Sequence, residues 1–359
     1  MIFQSDELIP FSLLDIEYAL FTMIQSVCIM KKVLLLVAFL GLLITSISAQ
    51  QDPMFTKYMF NSLHFNPAYA GSKDHMSITL LHRDQWWGIQ DAPKTQSFTI
   101  HSPLNDEKIA LGLGVYNDAI GPTNTFNVMT SYAYRLVFND GSKLSFGLHG
   151  GIENWRADFS QLDLQNVTDA AFNDLQPSRW LPNFGIGIYY YNKYWYLGLS
   201  APKLLEWDLV ASAGSLPAQT YRHYFLTAGL AFPLSSSIIF KPSFLIKNVG
   251  LFGAFNSSNP QQLDINAPTE FDIDLSLLFY EALWIGTSFR SAFEVFDDRS
   301  SFDSIDIWAA YYLSNGLRVG ASFDYTLTEL STPAQGSFEV MLGYEFNYKE
   351  KLIVTPRYF

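Results

Sequence analysis

Residues 316–327 read GLRVGASFDYTL. Leu317, Val319, Ala321, Phe323, Tyr325 and Leu327 alternate with Arg318, Gly320, Ser322, Asp324 and Thr326. A period of two is that of an extended strand with one apolar and one polar face. The fold turns on which solvent each face meets. A soluble sandwich buries the apolar face in protein, whereas a membrane barrel turns it toward lipid and keeps the polar face for its lumen.

The same period recurs in fourteen segments, roughly 75–83, 95–103, 108–116, 124–137, 142–152, 184–191, 194–201, 220–232, 237–247, 270–279, 282–290, 303–313, 316–327 and 335–347. Most have about the 9–11 residues that a tilted strand needs to cross a bilayer. The even-numbered segments end in tight turns such as LNDE, NDGS, NK, PLSS, a Glu281 corner and SN. Longer connections, over 153–183, 202–219, 248–269 and 291–302, follow odd-numbered ones. Outer-membrane barrels have short periplasmic turns and long external loops, and a soluble sandwich has no reason to sort its loops this way. The expected fold is all-β: a transmembrane antiparallel β-barrel of about 14 strands (12–16), residues 75–347, with both termini periplasmic. Leu317, Val319 and Phe323 then face lipid. Aromatic Tyr189, Tyr190, Tyr191, Tyr194, Trp195 and Tyr196 around the NK turn suit an interfacial girdle, as do Tyr311 and Tyr312 before the SN turn.

Composition agrees. The 359 residues are 49% hydrophobic and 16% aromatic but only 16% charged, against roughly 25% charged in soluble domains. Past the N-terminus no apolar run reaches the ~18 residues of a spanning helix. A Tyr-rich soluble β protein is the alternative. The formal charge of −12 offers no basic stripe for phosphate, so nucleic acid is not an expected partner.

Residues 30–49, MKKVLLLVAFLGLLITSISA, have the form of a signal peptide. Lys31 and Lys32 make a basic start, Val33 to Ile44 an apolar core, and Ser46, Ser48 and Ala49 the small residues before cleavage. Residues 1–29 contain acidic residues and no Lys or Arg, a poor export start, and read as an extension preceding the true initiator Met30. Cys28 falls in that part, so no disulfide is expected in the mature chain. Residues 50–74 then form a periplasmic N-terminal segment and 348–359 a C-terminal tail.

An ordered set of motifs follows the leader: QQDPMFTKYMFN over 50–61, Asn66-Pro67-Ala68-Tyr69-Ala70-Gly71, and His82-Arg83-Asp84-Gln85-Trp86. Further along come Asp118-Ala119-Ile120-Gly121-Pro122, Gly185-Ile186-Gly187-Ile188, Gly198-Leu199-Ser200-Ala201-Pro202, Lys241-Pro242-Ser243-Phe244 and the terminal PRYF, 356–359. This set resembles the PorP/SprF family of type IX secretion system membrane proteins, over essentially the whole mature chain. The family tends to show Ser-His-Glu where this chain has Ser337-Phe338-Glu339. The resemblance implies a non-enzymatic outer-membrane barrel of a Bacteroidota-type cell, in the setting of gliding motility and adhesin anchoring. Its implied partners are secreted cargo with a type B C-terminal domain and a periplasmic protein bearing an OmpA-like peptidoglycan-binding domain. A porin or FadL-like transporter of small molecules is the runner-up.

The sequence shows no HExxH zinc spacing, no GxSxG elbow and no P-loop, so no metal, cofactor or catalytic residue is expected. Candidate partner-binding residues are Asn66, Pro67, Tyr69, Gly71, His82, Arg83 and Trp86. Asn66 to Gly71 read either as a periplasmic or luminal plug that docks a partner or as a turn into the first strand. His82, Arg83, Trp86 and Trp87 read either as a cargo-contacting rim or as interfacial anchors, with Arg83 paired to Asp84 or a neighbouring strand. Lys241, Asp272, Asp274, Arg290, Arg318 and Asp324, with Lys247, are expected on the lumen face, as cross-strand ion pairs or a water lining. The acidic loop 153–180, with Trp155 and Trp180, reads as a cargo or cation site or as a solvated loop.

Overall fold

A computed structural model describes residues 57–104, 108–161, 176–207, 209, 220–250, 269–292 and 302–346. The leader read over 1–49, Cys28 and the tail read over 348–359 lie outside the described residues. Fourteen main strands run through the described chain: β1 (Ser77–Asp84), β2 (Lys94–Pro103), β3 (Ile109–Ile120), β4 (Thr123–Val137), β5 (Lys143–Ala157), β6 (Ser178–Tyr191) and β7 (Trp195–Ala201). They continue as β8 (His223–Leu230), β9 (Ile238–Val249), β10 (Glu270–Phe279), β11 (Leu283–Ala292), β12 (Phe302–Tyr312), β13 (Leu317–Thr326) and β14 (Ser337–Glu345). A two-residue piece, Phe232–Pro233, prolongs β8 beside β9.

Each strand pairs antiparallel with its sequence neighbours, and β1 pairs with β14 from Ser77↔Glu345 to Asp84↔Phe338. That last ladder closes the sheet into a barrel and leaves no free edge, as an apolar surround demands. The pleat sorts side chains as the period of two predicts. Outward-pointing Leu148, Leu199 and Ile307 are 58%, 51% and 67% exposed, while inward-pointing Ser145 and Asp274 are fully buried. An apolar outside around a polar inside reverses the arrangement of a soluble protein and answers the question posed by residues 316–327: Val319 and Phe323 point out, Arg318 and Asp324 point in. No helix of the described chain is long and apolar enough to cross a membrane.

The structure refines three sequence expectations. β5 and β6 run further than the alternation suggested, so 153–157 and 178–183 at the two ends of that stretch are strand. The extension is held by inward Trp155, Ala157 and Leu181, which pack together with Leu209. The third and fourth strands are joined by Gly121-Pro122 alone, with Gly121 at φ +53, so one odd-side connection is tight. The expected tyrosine girdle is divided by the pleat: Tyr190, Tyr194 and Trp195 point out, but Tyr189, Tyr191 and Tyr196 are buried in the lumen.

Candidate functional site

The lumen is filled by the chain itself. Residues 57–74 coil inside the barrel as a 3₁₀ turn (Tyr58–Phe60), one α-helical turn (Ser62–Phe65) and a second 3₁₀ turn (Pro67–Tyr69). Asn66 starts the last of these. Its Oδ1 accepts from the Ala68 amide at 2.9 Å, and Pro67 occupies the first helical position, where its missing N–H costs nothing. Gly71, at φ +70, makes the reversal into the wall.

The apolar residues of the coil pack against matching apolar patches of the barrel wall. Leu63, Ala68, Tyr69 and Ala70 pack on Ala110, Ala133, Tyr189 and Tyr196. Phe60 stands edge-on to Trp284 and Trp308 at 5.1 and 5.4 Å between ring centres. Tyr58 and Phe65 pack on Leu81, Phe225 and Leu245. Asn66 pins the centre: its Nδ2 donates to the carbonyls of Ile188 (3.1 Å) and Leu199 (3.4 Å) on two adjacent strands. Glycine makes that approach possible, since a Cβ on Gly147 would strike the Ala68 amide and one on Gly187 would strike Asn66 Oδ1.

Charge fixes both ends of the coil. At one end Lys57 Nζ donates to Ser288 Oγ at 2.6 Å and lies 3.8 Å from Asp306 and 4.0 Å from Asp274, while its backbone N–H donates to Glu339. At the other, Asp74 accepts from Arg135 (3.0 Å) and Lys143 (2.8 Å), and Glu345 meets Lys73 (2.6 Å), His75 (3.3 Å) and Arg318 (3.3 Å). Burial, with Arg318 nearby, depresses the Lys73 ammonium to about 8, against the opposing pull of Glu345. Burial likewise raises the Tyr58 and Tyr69 hydroxyls. The space left under residues 202–207, between His64, Tyr116, Asn127, His149 and Lys203, is about 30 Å³, about enough for one water.

Of the residues singled out in the sequence, Asn66, Pro67, Tyr69 and Gly71 therefore belong to this plug. Tyr69 stacks edge-on with His101 and Tyr189, and the Gly71 N–H donates to His101 Nδ1 at 3.0 Å. Arg83 is also luminal, 2% exposed, and pairs with Asp324 at 2.5 Å and Glu339 at 3.7 Å. Arg290 binds Asp272 through two hydrogen bonds of 2.9 and 3.2 Å; Asp274 accepts from Ser288 and Trp308; Lys241 sits 3.5 Å over the Trp284 ring. These charges line a packed interior. His82 and Trp86 stand apart from it. His82 faces out with its Nε2 3.2 Å from Asp84, and Trp86, at φ +52, donates its N–H to Ser337 Oγ in the loop above β1, beside exposed Trp87.

In the acidic loop, Glu153 is buried against Lys203 (2.9 Å), Trp155 is buried and Trp180 is 63% exposed; Asp163, Asp169 and Asp174 lie outside the described residues. Among the described residues no three His, Cys, Asp or Glu side chains are arranged to hold a metal. Sequence reading passed over Lys57, Asp74, Arg135, Lys143, Glu339 and Glu345. Parity within their strands is the signal that marks Arg135 and Glu339 as inward.

The family model described as "Type IX secretion system membrane protein PorP/SprF" matches residues 47–344. No curated protein matches the sequence. Among solved structures, the CymD monoaromatic hydrocarbon channel is similar at 12% identity and TM-score 0.48, over 80% of this chain and 93% of that one. The Ralstonia pickettii toluene transporter TbuX is similar at 12% identity and TM-score 0.43, over 84% and 95%. A Pseudomonas aeruginosa FadL homologue is similar at 11% identity and TM-score 0.43, over 79% and 94%.

Proposed function

The chain belongs to the PorP/SprF family of type IX secretion system membrane proteins, and from that premise we propose that this outer-membrane barrel delivers or anchors secreted cargo at the cell surface. The cargo carries a type B C-terminal domain, of the kind found on large adhesins, and is held by the rim and external loops. Both termini are periplasmic, and that face meets a cell-wall-linked partner with an OmpA-like peptidoglycan-binding domain. Binding alone accomplishes this, without covalent chemistry, and the protein is no enzyme.

One observation carries the reading: residues 57–74 fill the lumen, pinned across adjacent strands by Asn66 and at both ends by ion pairs. A lumen occupied by residues of the chain's own N-terminal segment favours a scaffold that binds at its ends over a conduit. Trp87 and Trp86 in the β1–β2 loop are candidate anchors of the type enriched at binding hot spots. The runner-up, a porin or FadL-like transporter, requires the plug to yield.

The test is a mild-detergent pull-down of the tagged mature chain from outer membranes, with co-purifying proteins identified by mass spectrometry. Recovery of a secreted protein that retains its C-terminal domain, or of a peptidoglycan-binding partner, supports anchoring. A solitary barrel that conducts ions steadily in planar bilayers would replace this reading with transport.

A further inference from the structure

The ladder between β1 and β14 joins the first strand to the last, so no turn holds its two sides together. Four of its residue pairs point into the lumen: Ser77↔Glu345, Thr79↔Gly343, Leu81↔Met341 and Arg83↔Glu339. Each is bridged by a group from outside the ladder. In the first row Glu345 binds Lys73 at the end of the plug and His75 just before β1. In the second, β14 has a glycine and Arg318 of β13 passes over it. Its Nη2 donates to Thr79 Oγ1 at 2.9 Å, and a Cβ on Gly343 would lie 2.8 Å from the guanidinium. In the third, Leu81 packs on Tyr58 and Phe65, its partner Met341 belongs to the cluster around Phe60, and Met59 packs against both groups. In the fourth, Arg83 reaches over β14 to Asp324 of β13, while the Lys57 N–H donates to Glu339 at 3.2 Å.

The two arginines are straps. Both run between β13 and β1 across the inner face of β14, so parting the seam pulls buried charges from their partners. The remaining bridges come from the plug. Separating Leu81 from Met341 strips cover from Tyr58, Met59 and Phe60, and withdrawing the plug uncovers Leu81 and Met341 and takes Lys73 from Glu345. Seam and plug therefore hold many of the same contacts and cannot lose them separately. On the far side of the barrel the plug meets strands that already have a turn between them: Asn66 binds β6 and β7, which are joined through 192–194.

We propose that the plug is the clasp of the barrel's closing seam: one set of contacts keeps the lumen filled and the β1–β14 ladder shut, and the two open together. Coupling of this kind is reciprocal, so a change made at either place is felt at the other. A passage through the lumen and a parting of the wall thus become a single event. The clasp concerns how the wall is kept shut and is the same for an anchor as for a conduit, so it stands apart from the cargo role.

The experiment is hydrogen exchange with peptide-level resolution on the full mature chain in lipid vesicles. Asn66→Ala loosens the plug from β6 and β7, opposite the seam in the strand order, and touches no residue of the seam. Exchange is expected to rise about tenfold over 57–74 and, with it, in peptides from β1 and β14, while β3–β5 and β10–β11 keep their wild-type rates. The reverse arm staples the seam from outside. Leu80 and Leu342 are directly paired and point outward, and opposite residues lie within the roughly 4.4–6.8 Å between Cα atoms that a disulfide spans. The mature sequence has no other cysteine. Adding Leu80→Cys and Leu342→Cys to Asn66→Ala should return both the seam and residues 57–74 toward wild-type rates when oxidised, and reduction should undo this. Faster exchange over 57–74 with β1 and β14 unchanged overturns the clasp. So does a rise spread alike over every strand, or a staple that slows β1 and β14 but leaves 57–74 fast. If Asn66→Ala yields no folded barrel, Ser243→Ala on β9, which takes away the partner of the Tyr58 hydroxyl, decides by the same comparison.

Discussion

Gly147→Ala is the smallest change that should loosen the plug while leaving the wall intact. The added methyl points into the lumen, where it meets the Ala68 amide nitrogen and the Pro67 carbonyl carbon, backbone atoms with no rotamer to shed. The coil must back away from β5. Overpacking of this kind costs about 1–3 kcal/mol. Backing away also stretches the two hydrogen bonds from Asn66 Nδ2 to Ile188 and Leu199, each contributing about 1 kcal/mol. Together the docked plug loses about 3–5 kcal/mol, which at about 1.4 kcal/mol per decade is a factor of about 10² to several times 10³ in its opening equilibrium. The strand ladders lose nothing, because Gly147 keeps its backbone partners on β4 and β6. Hydrogen exchange with peptide-level resolution reads both effects at once. Peptides over 61–70 should exchange about 10²-fold faster in the variant, while those from β4 to β6 keep their wild-type protection. In planar bilayers the variant should show brief openings that wild type lacks. Unchanged exchange over 61–70 would mean that the coil does not lie against Gly147, and the closed-lumen argument would go with it.

Three further outcomes test other parts of the structure. Arg83→Ala leaves Asp324 and Glu339 buried without their cation; it should destabilise the folded barrel by about 3–5 kcal/mol in urea titrations of the vesicle-embedded form, and Arg83→Met with Asp324→Asn should recover much of that. Ile186→Arg, on the exposed outer face of β6, should cost about 2–4 kcal/mol in the same assay, whereas a water-facing position would tolerate it. Lys73 titrates near 8 in the folded chain, against about 10.4 unfolded. Between those values the unfolded chain binds more protons, so the Lys73 contribution to stability should rise with pH across that window. Lys73→Gln should flatten the slope of stability against pH there, and an identical slope would refute the depressed value.

The architecture was legible because its determinants are local, whereas the plug was not because its determinants are distant. A strand facing two different solvents writes its period into ten consecutive residues, and each of the fourteen alternating segments became a strand. The same parity placed Asp272, Asp274, Arg290, Arg318 and Asp324 on the inner face before any partner was known. Arg83 shows the limit of reading by position. Lying next to Asp84 at a strand end, it looked like a rim residue, yet parity with outward His82 already pointed it inward, and its partners Asp324 and Glu339 come from the last two strands. For Asn66 to Gly71 the sequence specifies only a capped turn. What makes that turn a plug is the absence of side chains at Gly147 and Gly187, and two glycines in strands otherwise rich in glycine carry no mark of what they admit. The lumen charges then take on a different meaning. An open pore would line its water with Asp274, Asp306 and Asp324, whereas here Lys57 of the plug reaches the first two and Arg83 of the wall takes the third. Wall and plug are thus matched in charge as well as in shape. A substrate passing through would have to break both, so partners of this barrel should meet its ends.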